Sequence, residues 1–259
     1  MAQYQEITVE RRGDTLLLTL QRPEARNALT HRTYAELRDA VARCDARCLV
    51  VTGADPAFCS GDDVKQIMAG TSGPPADALA REPRLTPAAE ALLATDVPVV
   101  AAVNGAAVGW GMELALLADL RVASERARFG ELFVLRGLVC DVAGLARLAA
   151  LVGRGKAAEL LFTGEVIDAQ EALQIGLCSR VVPHAELLPT ALALAERIAA
   201  NPPLAVARIK QGLRRALDPD WQDLGRFVAS SLAELFRTED HREGVRAFLE
   251  KRPARYRGR

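Results

Sequence analysis

The sequence predicts an α/β fold, and two apolar runs that each end at a glycine loop carry this prediction. Cys48–Thr52 and Val97–Val103 are short and rich in β-branched residues, as expected for buried strands. The first run leads into AFCSGDDVK and the second into NGAAVGWG. From residue 201 onward the apolar spacing is helical throughout. We therefore predict a core over residues 1–200 and a helical region over residues 201–259.

Other elements follow in chain order. Ile7–Val9 and Leu16–Leu20 flank a turn at Gly13 and predict a hairpin. Thr30 is a good N-cap for a helix over His31–Ala42, and the positions near Tyr34, Leu37 and Val41 are expected to face inward. Further predictions are helices over Ala88–Ala94, Val142–Leu151 and Ala185–Ala200, a helix from Asp168 to about Gly176, a strand over Cys178–Val182, and a Gly- and Pro-rich loop over 70–87.

The tail predicts three helices, over Leu204–Leu217, Trp221–Arg237 and Glu239–Lys251. Their large apolar residues exceed what a lone three-helix tail needs for its own packing. These residues are Trp221, Leu224, Phe227, Leu232, Leu235, Phe236 and Phe248. The excess indicates an intersubunit surface.

Composition excludes several classes of partner. The chain has 259 residues and 50% apolar content, enough for a substantial core. Its 33 basic and 33 acidic residues cancel, which leaves no electrostatic footprint for nucleic acid or an anionic membrane surface. No run approaches the roughly twenty apolar residues of a membrane span, and the first residues lack a signal-like apolar core. We expect a cytoplasmic protein.

The cysteines and histidines predict neither a disulfide framework nor a metal site. The five cysteines are odd in number and lack C-x-x-C spacing. His31, His184 and His241 are scattered, so they form neither a cluster nor an HExxH helix. We expect reduced thiols and no metal.

The loop after Val97–Val103 predicts a ligand site. Its glycines allow a close backbone approach or positive φ, and they are Gly105, Gly109 and Gly111. An apolar helix is predicted over Met112–Ala118, and the free N–H groups at its start suit an oxygen that develops negative charge. Glu113 lies in the first turn, beside that oxygen. Acidic residues are favoured there in any helix, so the loop alone is weak evidence for catalysis.

Three other motifs are incomplete. Gly153-Arg154-Gly155-Lys156 lacks both the earlier glycine and the following Ser or Thr of a phosphate loop. Gly109-x-Gly111 lacks the third glycine of a dinucleotide fingerprint. Ser60 is outside any G-x-S-x-G elbow, which indicates a loop hydroxyl rather than a nucleophile.

Six segments together resemble the crotonase, or enoyl-CoA hydratase/isomerase, superfamily. They are QRPEARNAL, AFCSGDDVK, NGAAVGWGMELALLADLRVAS, RFGELFVLRGLVCDVAG, LFTGEVIDAQEALQIGL and TEDHREGVRAFLEKR, in family order over nearly the whole chain. The resemblance implies a spiral of ββα units with two roughly perpendicular sheets. It also implies a C-terminal helical region that packs trimers, which often pair into hexamers, so we expect a homotrimer or homohexamer.

The resemblance also implies an acyl-CoA thioester as substrate, with no cofactor beyond the coenzyme A that the substrate carries. The oxyanion hole of the family falls on the backbone N–H groups of Asp62 and Trp110. Expected substrate and coenzyme A contacts are Ala25, Arg26, Ser60, Gly61, Asp63, Val64, Lys65, Gly109 and Phe133. Lys65 could equally form a surface ion pair.

The family expects two carboxylates, and only the first is in place, as Glu113. The second family position falls on Phe133 in FGELF. Glu131 could replace the missing glutamate only if this segment is a strand. In a strand, the side chains of Glu131 and Phe133 would point to the same face. Asp141, in GLVCD, is the better substitute, because some isomerases of the family carry an aspartate there. Asp141 could also be only the N-cap of the helix that begins at Val142.

Hydration needs one group to activate water and another to deliver a proton, whereas a double-bond shift needs one base that removes a proton and returns it elsewhere. The missing glutamate therefore favours isomerisation of an enoyl-CoA over hydration of a trans-2-enoyl-CoA. A CoA-binding subunit with little turnover is the remaining alternative, because this fold hosts several activities.

Overall fold

The fold was analysed in a computed structural model, which describes residues 4–68, 81, 85–257 and 259. The predicted 70–87 loop lies largely outside these residues. The chain alternates strands and helices up to Ala199 and is helical beyond it.

A six-stranded sheet forms the centre of the core. Its strands are β1 (Ile7–Arg12), β2 (Thr15–Leu20), β3 (Cys48–Gly53), β4 (Val99–Val103), β6 (Leu120–Ser124) and β9 (Arg180–Val182), in the order β1-β2-β3-β4-β6-β9. β1 and β2 form the predicted antiparallel hairpin, and the remaining pairs are parallel. All side chains of β3 and β4 are buried, because helices cover both faces of a parallel sheet.

A second sheet contains β5 (Ala106–Val108), β7 (Arg128–Gly130) and β8 (Ile167–Asp168). β5 and β7 pair in parallel, and β7 and β8 pair in antiparallel. Two isolated bridges extend this sheet, Cys59 to Ala107 and Leu29 to Asp62. The bridges bring the loops after β2 and β3 beside the loop after β4.

Ten helices are found in the described part of the chain. They are α1 (His31–Ala42), α2 (Pro87–Ala94), α3 (Trp110–Leu117), α4 (Ala149–Val152), α5 (Arg154–Thr163), α6 (Ala169–Gln174), α7 (Leu187–Ala199), α8 (Pro203–Leu217), α9 (Trp221–Leu235) and α10 (Glu239–Leu249). α7 covers one sheet face through a stripe with i, i+4 spacing that includes Ala191, Ala195 and Ala199. The larger core, with α1, α2 and α3, covers the other face.

The local predictions agree with most of these elements. α1 has the predicted bounds, and Thr30 caps it by accepting hydrogen bonds from the amides of Arg32 and Thr33. The helix predicted over Val142–Leu151 is interrupted by a π-helical turn at Gly144–Leu148. α5 was not predicted.

The helical tail packs against the core of its own chain. The ammonium group of Lys210 donates to Asp119 at 2.7 Å and to the carbonyl of Val97 at 2.8 Å. α10 contacts a 3₁₀ turn at Val134–Arg136, because Gly137 and Gly244 let the two backbones approach closely. Most of the apolar residues predicted to form an intersubunit surface, including Trp221, pack on this core instead. Phe227 and Phe248 are the exposed members of that set.

No helix in the described residues is long and apolar enough to cross a membrane.

Candidate active site

Two glycine loops meet in close backbone contact. A Cβ atom on Gly61, whose φ is +87°, would lie 2.8 Å from the carbonyl oxygen of Val108 and 3.2 Å from the amide nitrogen of Trp110. A Cβ atom on Gly111 would lie 2.1 Å from the carbonyl oxygen of Cys59. Any side chain at these two positions would force the loops apart.

This contact places two unused amides side by side. In the bridge to Leu29, Gly61 supplies the carbonyl and Asp63 the N–H, both at 2.8 Å, so the N–H of Asp62 points away from Leu29. Trp110 begins α3, and an amide at the first helical position has no acceptor within the helix. Neither amide donates to any described residue. The pair can therefore hold an oxyanion.

A cavity of about 430 Å³ lies over the two loops. Its lining includes every contact residue expected from the sequence: Ala25, Arg26, Ser60, Gly61, Asp62, Asp63, Val64, Lys65, Gly109, Trp110 and Phe133. It also includes residues that the sequence analysis missed: Ala28, Leu132, Arg136, Phe248 and Leu249. The last two come from α10 and its end, so the helical tail helps to close the cavity. We call this the first cavity.

Glu113 is fully buried in the first turn of α3. Its Oε2 accepts hydrogen bonds from the amides of Ala143 at 2.9 Å and Gly144 at 3.1 Å. A Cβ atom on Gly144 would lie 2.7 Å from Oε1. Burial raises the pKa of Glu113 well above its usual range, the charges of Glu131 and Asp141 raise it further, and the two amides lower it. The result is an oriented carboxylate that readily accepts a proton.

Asp141 is buried, and both of its oxygens accept hydrogen bonds. Oδ1 accepts from the amide of Val142 at 2.8 Å, and Oδ2 accepts from the indole of Trp110 at 3.0 Å and the hydroxyl of Thr86 at 3.4 Å. Burial raises the pKa of Asp141, and these three donors oppose that increase. Asp141 therefore bonds to the N–H of the next residue, Val142, and not to the second or third amide of the helix as an N-cap would, and it also holds the indole of Trp110.

Glu131 is a third buried carboxyl group close to this site. It follows β7 and is 1% exposed, and neither carboxyl oxygen has a hydrogen-bond partner in the described structure. Burial, and then the charge of Asp141, raises its pKa well above the usual range. The strand ends before Glu131, so the condition under which it would point like Phe133 is not met. In the sequence, the available signal for this burial is an acidic residue between Gly130 and Leu132.

Contacts between side chains link the two glycine loops. The hydroxyl of Tyr34 donates to Asp62 Oδ1 at 2.6 Å. The Tyr34 ring packs edge to face on Trp110, with centroids 4.8 Å apart, and the indole donates to Asp141. The sequence analysis treated Tyr34 only as an inward-facing helix residue. These contacts place Tyr34 between Asp62 and Trp110, the two residues with unused amides.

The three neighbouring carboxyl groups do not form a metal site. Among the described residues, no group of three or more His, Cys, Asp or Glu side chains is placed to hold a metal ion.

Comparisons with known proteins agree with this fold. The family model of enoyl-CoA hydratase/isomerase matches residues 10–259. A probable enoyl-CoA hydratase of Rhizobium meliloti is 37% identical over 262 residues, which covers 99% of this chain and 99% of that relative.

Solved structures extend the comparison. An enoyl-CoA hydratase/isomerase from Pseudoalteromonas atlantica superimposes with a TM-score of 0.88 at 31% identity, and the match covers 98% of this chain and 100% of the other. A monofunctional enoyl-CoA isomerase from M. smegmatis superimposes with a TM-score of 0.69 at 30% identity, covering 86% and 98%. The chain therefore belongs to the enoyl-CoA hydratase/isomerase family and is an enzyme of the crotonase superfamily. The fold expected from the sequence resemblance is confirmed.

The titration of Asp62 yields a prediction about stability. Burial raises the pKa of Asp62 to about 6. Because the folded protein then binds this proton more tightly than the unfolded chain, ionisation of Asp62 destabilises the fold as pH rises from about 4 to about 6. Asp62→Asn keeps the amide and the acceptor for Tyr34. It should raise the free energy of unfolding by about 2 kcal/mol more at about pH 7.5 than at about pH 4.

Urea unfolding at the two pH values measures this difference. Asp63→Asn is the matched control, since it removes the neighbouring carboxylate that pairs with Arg22 at 3.3 Å and should not gain stability at the higher pH. Turnover of Asp62→Asn should fall by less than the roughly 10²-fold that a lost oxyanion donor costs. An equal change in stability at both pH values would contradict the prediction.

Proposed function

We propose that this enzyme shifts the double bond of an enoyl-CoA by stabilising a thioester enolate between the amides of Asp62 and Trp110. The observation that carries the proposal is the pair of unused amides at the first cavity, with the buried carboxylate of Glu113 in the first turn of the helix that Trp110 begins. Phe133 occupies the family position of the second glutamate, which favours isomerisation over hydration. Proton transfer and enolate stabilisation need no cofactor beyond the coenzyme A of the substrate.

Glu113 is the base in this proposal. Its raised pKa makes it a better proton acceptor near neutral pH than an ordinary glutamate, and the amides of Ala143 and Gly144 hold it in one orientation. It removes a proton from C2 of a 3-enoyl thioester. The carbonyl oxygen then becomes an enolate oxygen, and the two amides bind this form more strongly than the neutral carbonyl.

Hydration of a trans-2-enoyl-CoA is the second candidate function, because the name of the Rhizobium meliloti relative says hydratase. In that reaction Asp141 would hold the attacking water while Glu113 moves the proton. Asp141 suits this role because it accepts hydrogen bonds in the ionised form and lies against Trp110.

Replacing the base tests the first proposal. Glu113→Gln keeps the shape of the side chain but cannot accept a proton, so turnover should fall by at least roughly 10²-fold while acyl-CoA affinity changes little. Absorbance and mass measurements with a 3-enoyl-CoA and with crotonyl-CoA give the turnover. A wild-type protein that binds CoA tightly but turns over neither substrate would instead indicate the low-turnover subunit.

Asp141→Asn separates the two reactions. If Asp141 holds the water, this change should lower hydration more than isomerisation, because only hydration requires a second polar group to place the nucleophile. The ratio of the two rates, measured on the same preparation, is the readout. Loss of every activity in Asp141→Asn, together with an active Glu113→Gln, would reverse the assignment of the base.

We also propose that the helical tail assembles a homotrimer or homohexamer. Ile209, Leu213 and Leu217 on α8 are 63%, 54% and 71% exposed, and Phe227 on α9 is 57% exposed. Burial of these side chains against other copies would remove apolar surface from water.

A charge on this surface should weaken the assembly. Leu213→Lys should shift the native mass toward the monomer, because it places an ammonium group in an apolar interface. Leu173→Lys, at an exposed leucine on α6, is the control. A wild-type monomer at roughly micromolar concentration in sedimentation measurements would refute the assembly.

A further inference from the structure

The carboxyl group of Glu131 is buried without a hydrogen bond that would compensate for its loss of hydration. Both oxygens are enclosed and unpartnered in the described structure. A buried polar group without a partner destabilises the fold, and an apolar residue of similar size would avoid that cost. Packing alone therefore does not explain a glutamate at this position.

Glu131 lines a second cavity, of about 670 Å³. Much of its wall is apolar, including Leu138, Leu145 and Leu161. Phe133 lines both this cavity and the first one. An acyl chain that extends past the two oxyanion amides and Phe133 would thus enter an apolar space with Glu131 on its wall.

The hydrogen bonds around the three carboxyl groups assign their protons. Glu113 accepts from two backbone amides, and Asp141 accepts from an amide, an indole and a hydroxyl, which favour the ionised form of both. No described group donates to Glu131, and the charge of Glu131 would oppose that of Glu113. Of the three carboxyl groups, Glu131 is therefore the one whose surroundings favour its neutral form most, which would give one acid and one base in a single site.

We propose that Glu131 is a second catalytic carboxyl group, which is neutral in the resting enzyme and donates its proton to the acyl chain in the second cavity. This inference rests on the proposed isomerase function, and it divides between Glu113 and Glu131 the two proton transfers that a single base could also perform. The proposed proton donor, Glu131, lies two residues before Phe133. Phe133 occupies the position of the glutamate in the family motif.

The step balances without any co-reactant. Glu113 takes a proton from C2 of a 3-enoyl thioester, and the electron pair moves into a dienolate whose oxygen the two amides hold. The O–H bond of Glu131 breaks as a C–H bond forms at C4, and the electrons return from the oxygen to leave the double bond between C2 and C3. Transfer of one proton from Glu113 to Glu131 restores the resting state.

The test separates C2 deprotonation from C4 protonation. Glu131→Gln and Glu131→Leu should lower 3-enoyl-CoA isomerisation by at least roughly 10²-fold, the usual contribution of a positioned acid. Exchange of the C2 proton of the recovered substrate in heavy water, read by mass, should persist because Glu113 performs it. Glu113→Gln should lose both reactions. Glu234→Gln, at the second cavity but outside the proposed chemistry, should keep both.

The thermal unfolding temperature distinguishes this catalytic role from a structural one. A structural role for Glu131 would lower the unfolding temperature of its variants. Both Glu131 variants should unfold at the wild-type temperature or above it, because they remove an unpartnered buried carboxyl group. In the wild type, turnover should also fall at alkaline pH as Glu131 loses its proton, whereas the residual turnover of Glu131→Gln should lack this decline.

Three results would overturn the inference. Glu131→Gln with turnover within about threefold of wild type would show that the carboxyl group is not needed. Loss of exchange and of thermal stability together with turnover would show a structural role. In both cases an active wild-type enzyme leaves the proposed function intact. A wild-type protein that converts no enoyl-CoA would overturn the proposed function and this inference with it.

Discussion

The site depends on a backbone contact between two loops that allows no side chain. Gly61 and Gly111 let the segment around Cys59 lie against the start of α3, at distances that a Cβ atom would not permit. The bridges from Cys59 to Ala107 and from Leu29 to Asp62 fix the register of this contact. Because the two proposed oxyanion donors are backbone amides, their spacing depends on the sheet and not on any rotamer. The remaining groups of the site are placed relative to this pair.

Three carboxyl groups share one desolvated region, and their hydrogen bonds distinguish them. Glu113 is held by the amides of Ala143 and Gly144, where the π-helical turn begins, and Asp141 is held by the side chain of Trp110. Trp110 therefore has two functions, since its amide faces the first cavity and its indole orients a carboxylate. Residues with one chemistry acquire different protonation states because their surroundings differ.

Local patterns predict the long elements of this fold and miss the short ones. The β-branched runs of β3 and β4 and the capped helix α1 carry their own signals, so their positions follow from sequence. Strands β5, β7 and β8 have two or three residues each, too few to show a period. These three strands form because the intervening segments of the chain align them with one another. The second sheet was expected only through the family resemblance.

The same distinction holds for the site. Glu113 and the two amides were found because motifs mark them. The environment of Glu131 could not be predicted, since its burial and its lack of partners arise from the packing of the segment after β7 against other elements. Tyr34 was assigned to packing, which its ring contact with Trp110 supports, while its hydroxyl reaches Asp62 in a loop far along the chain.

The helical tail belongs to the site as well as to the surface. α10 contacts the 3₁₀ turn after Phe133, and the Arg136 guanidinium lies 4.6 Å from the Phe248 ring centroid. Phe248 and Leu249 then line the first cavity, while Glu234 and Leu235 from the end of α9 line the second. Both cavities thus have one wall from the core and one from the tail. The contacts that bind the tail to the core therefore also set the shape of the space that an acyl group can occupy.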